Sequence, residues 1–115
     1  MSVSPVEYLR HILDETDFLT NRFRGVSKED FLTDETLKRA AVRSLEIIGE
    51  AVKKLPDDFR NRHSAVEWRA IAGMRDRLVH DYLGVDYDIV WDAITAKVPG
   101  LSVLVRQMIE QESAT

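Results

Sequence analysis

Hydrophobic residues recur at spacings of three and four along almost the whole chain, which is the period of one face of an α-helix. The first such run follows Ser4-Pro5-Val6-Glu7, a capping box with proline at the first helical position, and ends near Gly25. Its apolar stripe consists of Leu9, Ile12, Leu13, Thr16, Leu19 and Phe23. The pattern therefore predicts a long amphipathic first helix.

Two further helices are predicted in the next part of the chain. A short turn of helix should begin at Ser27 and bring Phe31 and Leu32 into the core. A longer helix should begin at Thr33-Asp34-Glu35 and end at Pro56. Its buried stripe is Leu37, Ala41, Leu45, Ile48, Val52 and Leu55. Together these segments predict the second long element of the fold.

Gly49 lies in the middle of that second long helix. Glycine there costs up to about 1 kcal/mol relative to alanine. That cost is tolerable if another backbone or a ligand must come close to the helix at this point.

A third long helix is predicted from a second capping box, Ser64-Ala65-Val66-Glu67, and it should run through both Arg75 and His80. At about 100° of rotation per residue, Arg75 lies in the middle of the apolar face of this helix. The residues within about 60° of it are Trp68, Ile71, Ala72, Leu78, Val79 and Tyr82. An arginine in such a place needs a carboxylate or phosphate partner. Glu46 or Glu50 can supply it, unless these two belong to an exposed charged face.

The last third of the chain also has helical periodicity. Gly84 should stop the third helix, Asp86 should cap the next one, and Pro99-Gly100 should break the chain before a final helix. The apolar positions are Tyr87, Val90, Trp91, Ile94 and Val98, followed by Leu101, Leu104, Val105, Met108 and Ile109. No segment has the pattern of a strand. We therefore predict an all-α fold, one domain over residues 1–115, built as an antiparallel bundle of four to five helices.

Composition and charge narrow the function. With 20 acidic and 16 basic side chains the net charge is -4, which argues against broad electrostatic capture of nucleic acid. An RNA substrate would need a local basic cleft, for which the candidates are Arg69, Arg75 and Arg77 with the loop at residues 60–63. In a single chain, the sequence favours the more ordinary interpretation of that loop as a solvated polar connector.

Several classes of site and location are not expected. The chain has no cysteine, no His-Glu-x-x-His and no repeated carboxylate and histidine motif, so neither a metal nor another cofactor is expected. No apolar run approaches the roughly 20 residues that cross a bilayer, and the first residues do not have the pattern of a signal peptide. We expect a cytoplasmic protein with no membrane partner.

Arg75, Asp76 and His80 form a local constellation of charged and titratable groups. In a straight helix Arg75 and His80 lie about 140° apart, so they can meet only if the helix bulges or ends near His80, or across a two-fold axis. Asp76, four residues before His80, would lie beside it and orient its imidazole. The alternative is an internally paired Arg75 and an ordinary helix-end His80, and spacing alone favours that alternative.

The order Arg75, His80, Tyr82, which reads Arg-x4-His-x-Tyr, resembles the signature of the HEPN superfamily in its HepT-like toxin branch. Three further segments resemble the same family in the same order: SLEIIGEA at residues 44–51, WRAIAGMR at 68–75 and VDYDIVW at 85–91. Asp76 stands where many members have asparagine. The resemblance covers nearly the whole chain and implies a HEPN-like helical bundle.

The resemblance also implies a metal-independent endoribonuclease that works as a homodimer with its paired motifs facing one cleft. His80, with a reference pKa of about 6.5, would transfer protons to and from the ribose 2′-OH and the leaving oxygen. Arg75 would bind the scissile phosphate. Such cleavage leaves a 2′,3′-cyclic phosphate and cannot act on DNA, which lacks the attacking hydroxyl.

In this family the toxin belongs to a type VII-like toxin-antitoxin pair of the HepT/MntA kind. The resemblance therefore implies an MntA-like nucleotidyltransferase antitoxin that transfers AMP onto Tyr82. From its position alone, Tyr82 is a core aromatic near a helix end. The competing function is a non-catalytic helical subunit that binds nucleotide or a nucleotidyltransferase partner, and a third is a purely structural interaction module.

Overall fold

The computed structural model of the chain describes residues 3–81 and 84–113, with the backbone alone for residues 75 and 79–81. Helix α1 (Pro5–Arg22) begins where the capping box predicts it, and the Ser4 side chain accepts a hydrogen bond from the Glu7 amide at 3.4 Å. The chain leaves α1 through Gly25, whose φ of 78° is a conformation that favours glycine. The predicted first helix is therefore confirmed.

Helices α2 (Lys28–Thr33) and α3 (Glu35–Lys54) also begin at polar caps. Ser27 accepts from the Asp30 amide at 3.0 Å, and Asp34 accepts from the Leu37 amide at 3.0 Å. Both helices confirm the predicted starts.

One of the two predicted core residues of α2 is not in the core. Phe31 is fully buried, whereas Leu32 is 37% exposed. Successive residues of a helix point about 100° apart, so a helix of six residues that turns Phe31 inward carries Leu32 toward solvent.

The side chain of Phe31 is the centre of an aromatic cluster. Its ring centroid lies 5.4 Å from that of Phe23, 5.6 Å from that of Trp91 and 6.2 Å from that of Tyr87. These contacts join α1 and α2 to the last third of the chain, and they confirm that the aromatics there belong to the core.

The chain after α3 differs from the prediction. The predicted loop at residues 60–63 is largely helix α4 (Asp57–Arg62). The Ser64 capping box is also wrong, since α5 (Trp68–Ala72) begins with Glu67 as its N-cap and has no side-chain cap hydrogen bond. The Trp68 amide instead donates to the Val66 carbonyl at 2.9 Å, which is a tight turn that delays the helix.

The predicted third long helix is interrupted and does not contain His80. It consists of α5 and α6 (Met74–Leu78), separated at Gly73. After α6 the chain forms β1 (Val79–Asp81), which pairs antiparallel with β2 (Gly84–Val85). The expectation that no segment is a strand is wrong here, and Gly84 is a strand residue rather than a helix stop. A two-residue β2 is too short to show a period-two pattern.

The final helices form one nearly continuous rod. Helix α7 (Tyr87–Asp92) leads into a π-helical segment (Ala93–Lys97) and then α8 (Val98–Ser113). Asp86 caps α7 as predicted, accepting from the Asp88 amide at 3.1 Å.

The predicted break at Pro99-Gly100 is wrong. Pro99 is the second residue of α8, where a helix tolerates proline. In an α-helix its ring would collide with the carbonyl four residues earlier. That residue, Thr95, lies in the π-helical segment, which is wider than an α-helix, and there the Val98 amide donates to the Ala93 carbonyl five residues earlier. The wider turn therefore allows the helix to continue through Pro99.

The bundle is built around α1, which packs against both α3 and α8, while α3 also packs against α5 and α6. Ser44 of α3 donates to Glu15 of α1 at 2.8 Å, and Arg106 of α8 pairs with Asp17 of α1 at 3.1 Å. This architecture confirms the predicted all-α, HEPN-like antiparallel bundle. None of the helices in the described residues is long and apolar enough to cross a membrane.

The α3–α5 contact generates the first prediction. A Cβ at Gly49 would lie 3.4 Å from the Ile71 carbonyl oxygen, which is ordinary contact, but because Gly49 is buried a larger side chain would press on the α5 backbone. Gly49→Leu should therefore lower the free energy of unfolding by about 1–3 kcal/mol, as measured by urea denaturation. Gly49→Ala is the control and should be neutral or stabilising. Equal stability of the leucine variant and the wild type would contradict the close packing.

Candidate active site

The site is built on the backbone of α5, which is held against α3. The carbonyl oxygens of Ile71 and Ala72 come within 3.4 and 3.8 Å of the point where a Cβ of Gly49 would lie. Of the two conditions that make glycine tolerable there, the close approach of another backbone is therefore the one that is met. The carbonyl end of α5 is therefore fixed to the bundle.

A joint at Gly73 connects α5 to the short helix that carries Arg75 and Asp76. The Gly73 amide donates to the Arg69 carbonyl at 3.0 Å, and the Asp76 amide donates to the Gly73 carbonyl at 3.2 Å. A Cβ at Gly73 would lie 3.3 Å from the Arg69 oxygen, which is tighter than most real contacts. A methyl group at the joint would therefore require the Arg69 carbonyl to shift by a few tenths of an ångström, directly before the helix that begins at Met74.

The other end of α6 is tied to the start of α7. The Asp86 amide donates to the Leu78 carbonyl at 2.8 Å. Strands β1 and β2 pair Val79 with Val85 and Asp81 with Gly84, so a paired residue lies on each side of His80 in β1. The backbone of His80 therefore lies in a short paired strand, two residues beyond the end of α6.

This geometry changes the expected relation among the three motif residues. Arg75 and His80 could approach each other if the helix ended near His80. The helix does end there, because α6 stops at Leu78 and β1 begins at Val79. The helical i, i+4 relation between Asp76 and His80 is absent, because His80 is in a strand, and Asp76 is exposed. The side chains of Arg75 and His80, and Tyr82 as a whole, lie outside the described part, so their roles stay predictions.

The projection that placed Tyr82 on the same helix face as Arg75 required an unbroken helix through residue 82. The helix ends at Leu78, so that derivation is wrong. The predicted partner of Arg75 stays a prediction: Glu46 is half-buried and Glu50 is exposed, both on α3.

The two other arginines predicted to bind RNA have different surroundings. Arg69 on α5 is exposed and lies on a cleft. Arg77 on α6 is also exposed, but its Nη2 donates to the carbonyl oxygen of Ala70 at 2.8 Å. Arg77 therefore makes a contact within the site's own scaffold.

The segment at residues 60–63 is not an open basic loop, because most of it is the end of α4, although Asn61 and Arg62 are exposed to solvent. Arg60 pairs with Asp57 within α4. Arg62 lies 3.8 Å from Asp58 and 3.7 Å from Glu112, and Nε2 of His63 lies 3.0 Å from Glu112 Oε1. Carboxylates balance much of this positive charge, which weakens the case for RNA capture by this segment.

A cleft of about 800 Å³ lies between α4 and α5, and periodicity gave no signal for it. Buried Trp68 shapes it, since its indole N–H donates to the Arg60 and His63 carbonyls at 3.2 and 3.0 Å. Its lining residues are Asp57, Arg60, Asn61, Ser64, Val66, Glu67, Trp68, Arg69 and Ala70.

Of the side chains that the structure describes, no group of three His, Asp or Glu could hold a metal ion together.

The Arg-x4-His segment at residues 75–80 thus spans the end of α6 within an antiparallel helical bundle. The sequence model of the family described as "Ribonuclease HepT-like" matches residues 12–108. This match contains the whole motif and most of the bundle. The chain therefore belongs to the HepT-like ribonuclease family.

Named relatives are similar over most of their length. A protein of Caldanaerobacter subterraneus subsp. tengcongensis called "Putative RNase" is 53% identical over 109 residues, which are 95% of this chain and 97% of that protein. A Thermococcus cleftensis protein called "Probable ribonuclease HepT" is 40% identical over 101 residues, covering 88% and 92% of the two chains. No solved structure gives a significant match.

Proposed function

We propose that this protein is an endoribonuclease that cleaves RNA without a metal ion, through attack of the ribose 2′-OH. The observation that carries the proposal is the family match over residues 12–108, which includes Arg75 and His80. Two relatives of nearly the same length, 53% and 40% identical, have names that call them ribonucleases. Their similarity supports the same reaction class here.

In the proposed reaction, His80 transfers the protons and Arg75 binds the phosphate, so no metal ion is needed. His80 takes the proton of the 2′-OH as the 2′-oxygen bonds to phosphorus, and an imidazolium returns a proton to the 5′-oxygen as its bond to phosphorus breaks. The products are a 2′,3′-cyclic phosphate and a free 5′-OH. Arg75 binds the phosphate and stabilises the charge that develops on its oxygens.

The scaffold supports this assignment by fixing the backbone on both sides of the motif. Arg75 is on α6, between the Gly73 joint and the Leu78 carbonyl that receives the Asp86 amide. A pre-positioned phosphate clamp and proton-transfer group lower the entropic barrier of the reaction. Arg69 is exposed on the neighbouring helix α5, so its guanidinium is free of burial and can add a phosphate contact.

A homodimer is part of the proposal, because a second copy can bring a second motif to the same cleft. We also propose that the protein acts in the cytoplasm as the toxin of a toxin-antitoxin pair. Its antitoxin would be an MntA-like nucleotidyltransferase that modifies Tyr82.

The second candidate function is a non-catalytic subunit that binds nucleotide or a nucleotidyltransferase. Asp76 favours it, because an exposed carboxylate beside Arg75 in sequence repels phosphate. The net charge of -4 acts in the same direction. The family match and the intact motif favour the ribonuclease more strongly.

The assay that decides between them is cleavage of RNA by purified protein in EDTA. Wild type should cleave, and His80→Ala and Arg75→Ala should each reduce the rate by about 100-fold or more, with helicity by circular dichroism unchanged. Arg39→Ala is the matched control, because Arg39 is an exposed arginine on α3 whose side-chain exposure is 82%. Its rate should equal that of wild type. Unchanged cleavage in both motif variants would refute the assignment of the catalytic pair.

Modification of Tyr82 generates a separate prediction. An AMP group on its phenol would bring a phosphate close to the motif and compete with RNA for Arg75. Tyr82→Phe removes only the acceptor oxygen, so it should retain cleavage and escape inactivation by the nucleotidyltransferase and ATP. Intact-mass spectrometry should show an adenylyl increment on wild type and none on the variant. An increment that persists in Tyr82→Phe would place the modification elsewhere.

A further inference from the structure

The joint between α5 and α6 places the Ala70 carbonyl beyond the regular helical hydrogen bonds. The bond from the Gly73 amide to the Arg69 carbonyl is the last of the α5 series, since the helix ends at Ala72. The next carbonyl is that of Ala70. Its oxygen accepts a hydrogen bond from Nη2 of Arg77 at 2.8 Å.

Arg77 suits this contact in both reach and charge. Helical side chains lean toward the N-terminus of their helix, so Arg77 on α6 extends back over the joint toward α5. The carbonyls at a helix C-terminus carry a partial negative charge that a cation stabilises.

The contact connects a fixed helix to the helix that bears the motif. Helix α5 is held on α3 through the close approach of the Ile71 carbonyl to Gly49. Helix α6 has only five residues, too few to be stable alone. A side-chain bond that spans the joint therefore limits how far α6 can move relative to the bundle.

We propose that Arg77 is a positioning residue that braces α6 across the Gly73 joint, rather than a residue that binds RNA. Its bond to the Ala70 carbonyl holds the helix that contains Arg75. The consequence for cleavage rests on the ribonuclease function proposed above, whereas the brace itself is a property of the free protein. The two can therefore be tested separately.

Hydrogen exchange tests the brace without RNA. Arg77→Ala should raise exchange at the α6 amides by about tenfold, while amides of α1 and α3 stay protected. Arg77→Lys keeps a cationic donor and should restore much of the protection. Arg69→Ala removes a neighbouring arginine that makes no such bond and should leave α6 protected. Equal α6 exchange in wild type and Arg77→Ala would overturn the brace.

Cleavage kinetics separate a brace from an RNA contact. Arg77→Ala should lower kcat by about tenfold with little change in KM, because α6 is misplaced in the bound complex. Arg77→Lys should recover part of kcat. A rise in KM with unchanged kcat and unchanged exchange would overturn the proposal in favour of RNA binding. If wild type does not cleave RNA, the proposed function fails, and the exchange comparison alone still supports or overturns the brace.

Discussion

The approach of α5 to α3 at Gly49 is the constraint on which the proposed site depends. A glycine in the middle of a 20-residue helix costs stability, but it lets the carbonyl of Ile71 pack directly against the helix surface. Backbone-to-backbone packing of this kind leaves little freedom for α5. The start of α6, the short helix that follows α5, is therefore held in a defined place.

From that point the motif is reached through a chain of specific contacts. Gly73 makes the joint, Arg77 bonds back to the Ala70 carbonyl, and the Leu78 carbonyl receives the Asp86 amide. Each contact is weak by itself, at about 1 kcal/mol for an ordinary hydrogen bond. Together they fix both ends of α6, which is how a five-residue helix can hold the backbone of Arg75 in a defined place.

The sequence predicted the long helices because their signals are local. Ser4, Ser27, Asp34 and Asp86 cap helices in the structure as their patterns indicate, and the all-α bundle is confirmed. The interruption at Gly73 was not predicted, because it depends on long-range packing and glycine is only weakly unfavourable in a helix. The helix through Pro99 was missed because a π-helical turn has no sequence signature that periodicity detects.

The site itself was reached through resemblance, because the spacing of Arg75 and His80 alone favours an ordinary arginine and histidine.

The most direct test of the account is RNA cleavage by Gly73→Ala, which crowds the Arg69 carbonyl at the joint. Gly100→Ala, where nothing lies within 4 Å, is the matched control. We predict that Gly73→Ala stays folded but loses about tenfold or more in rate, while the control cleaves normally. Equal rates for the two variants would contradict the claim that the joint positions the motif.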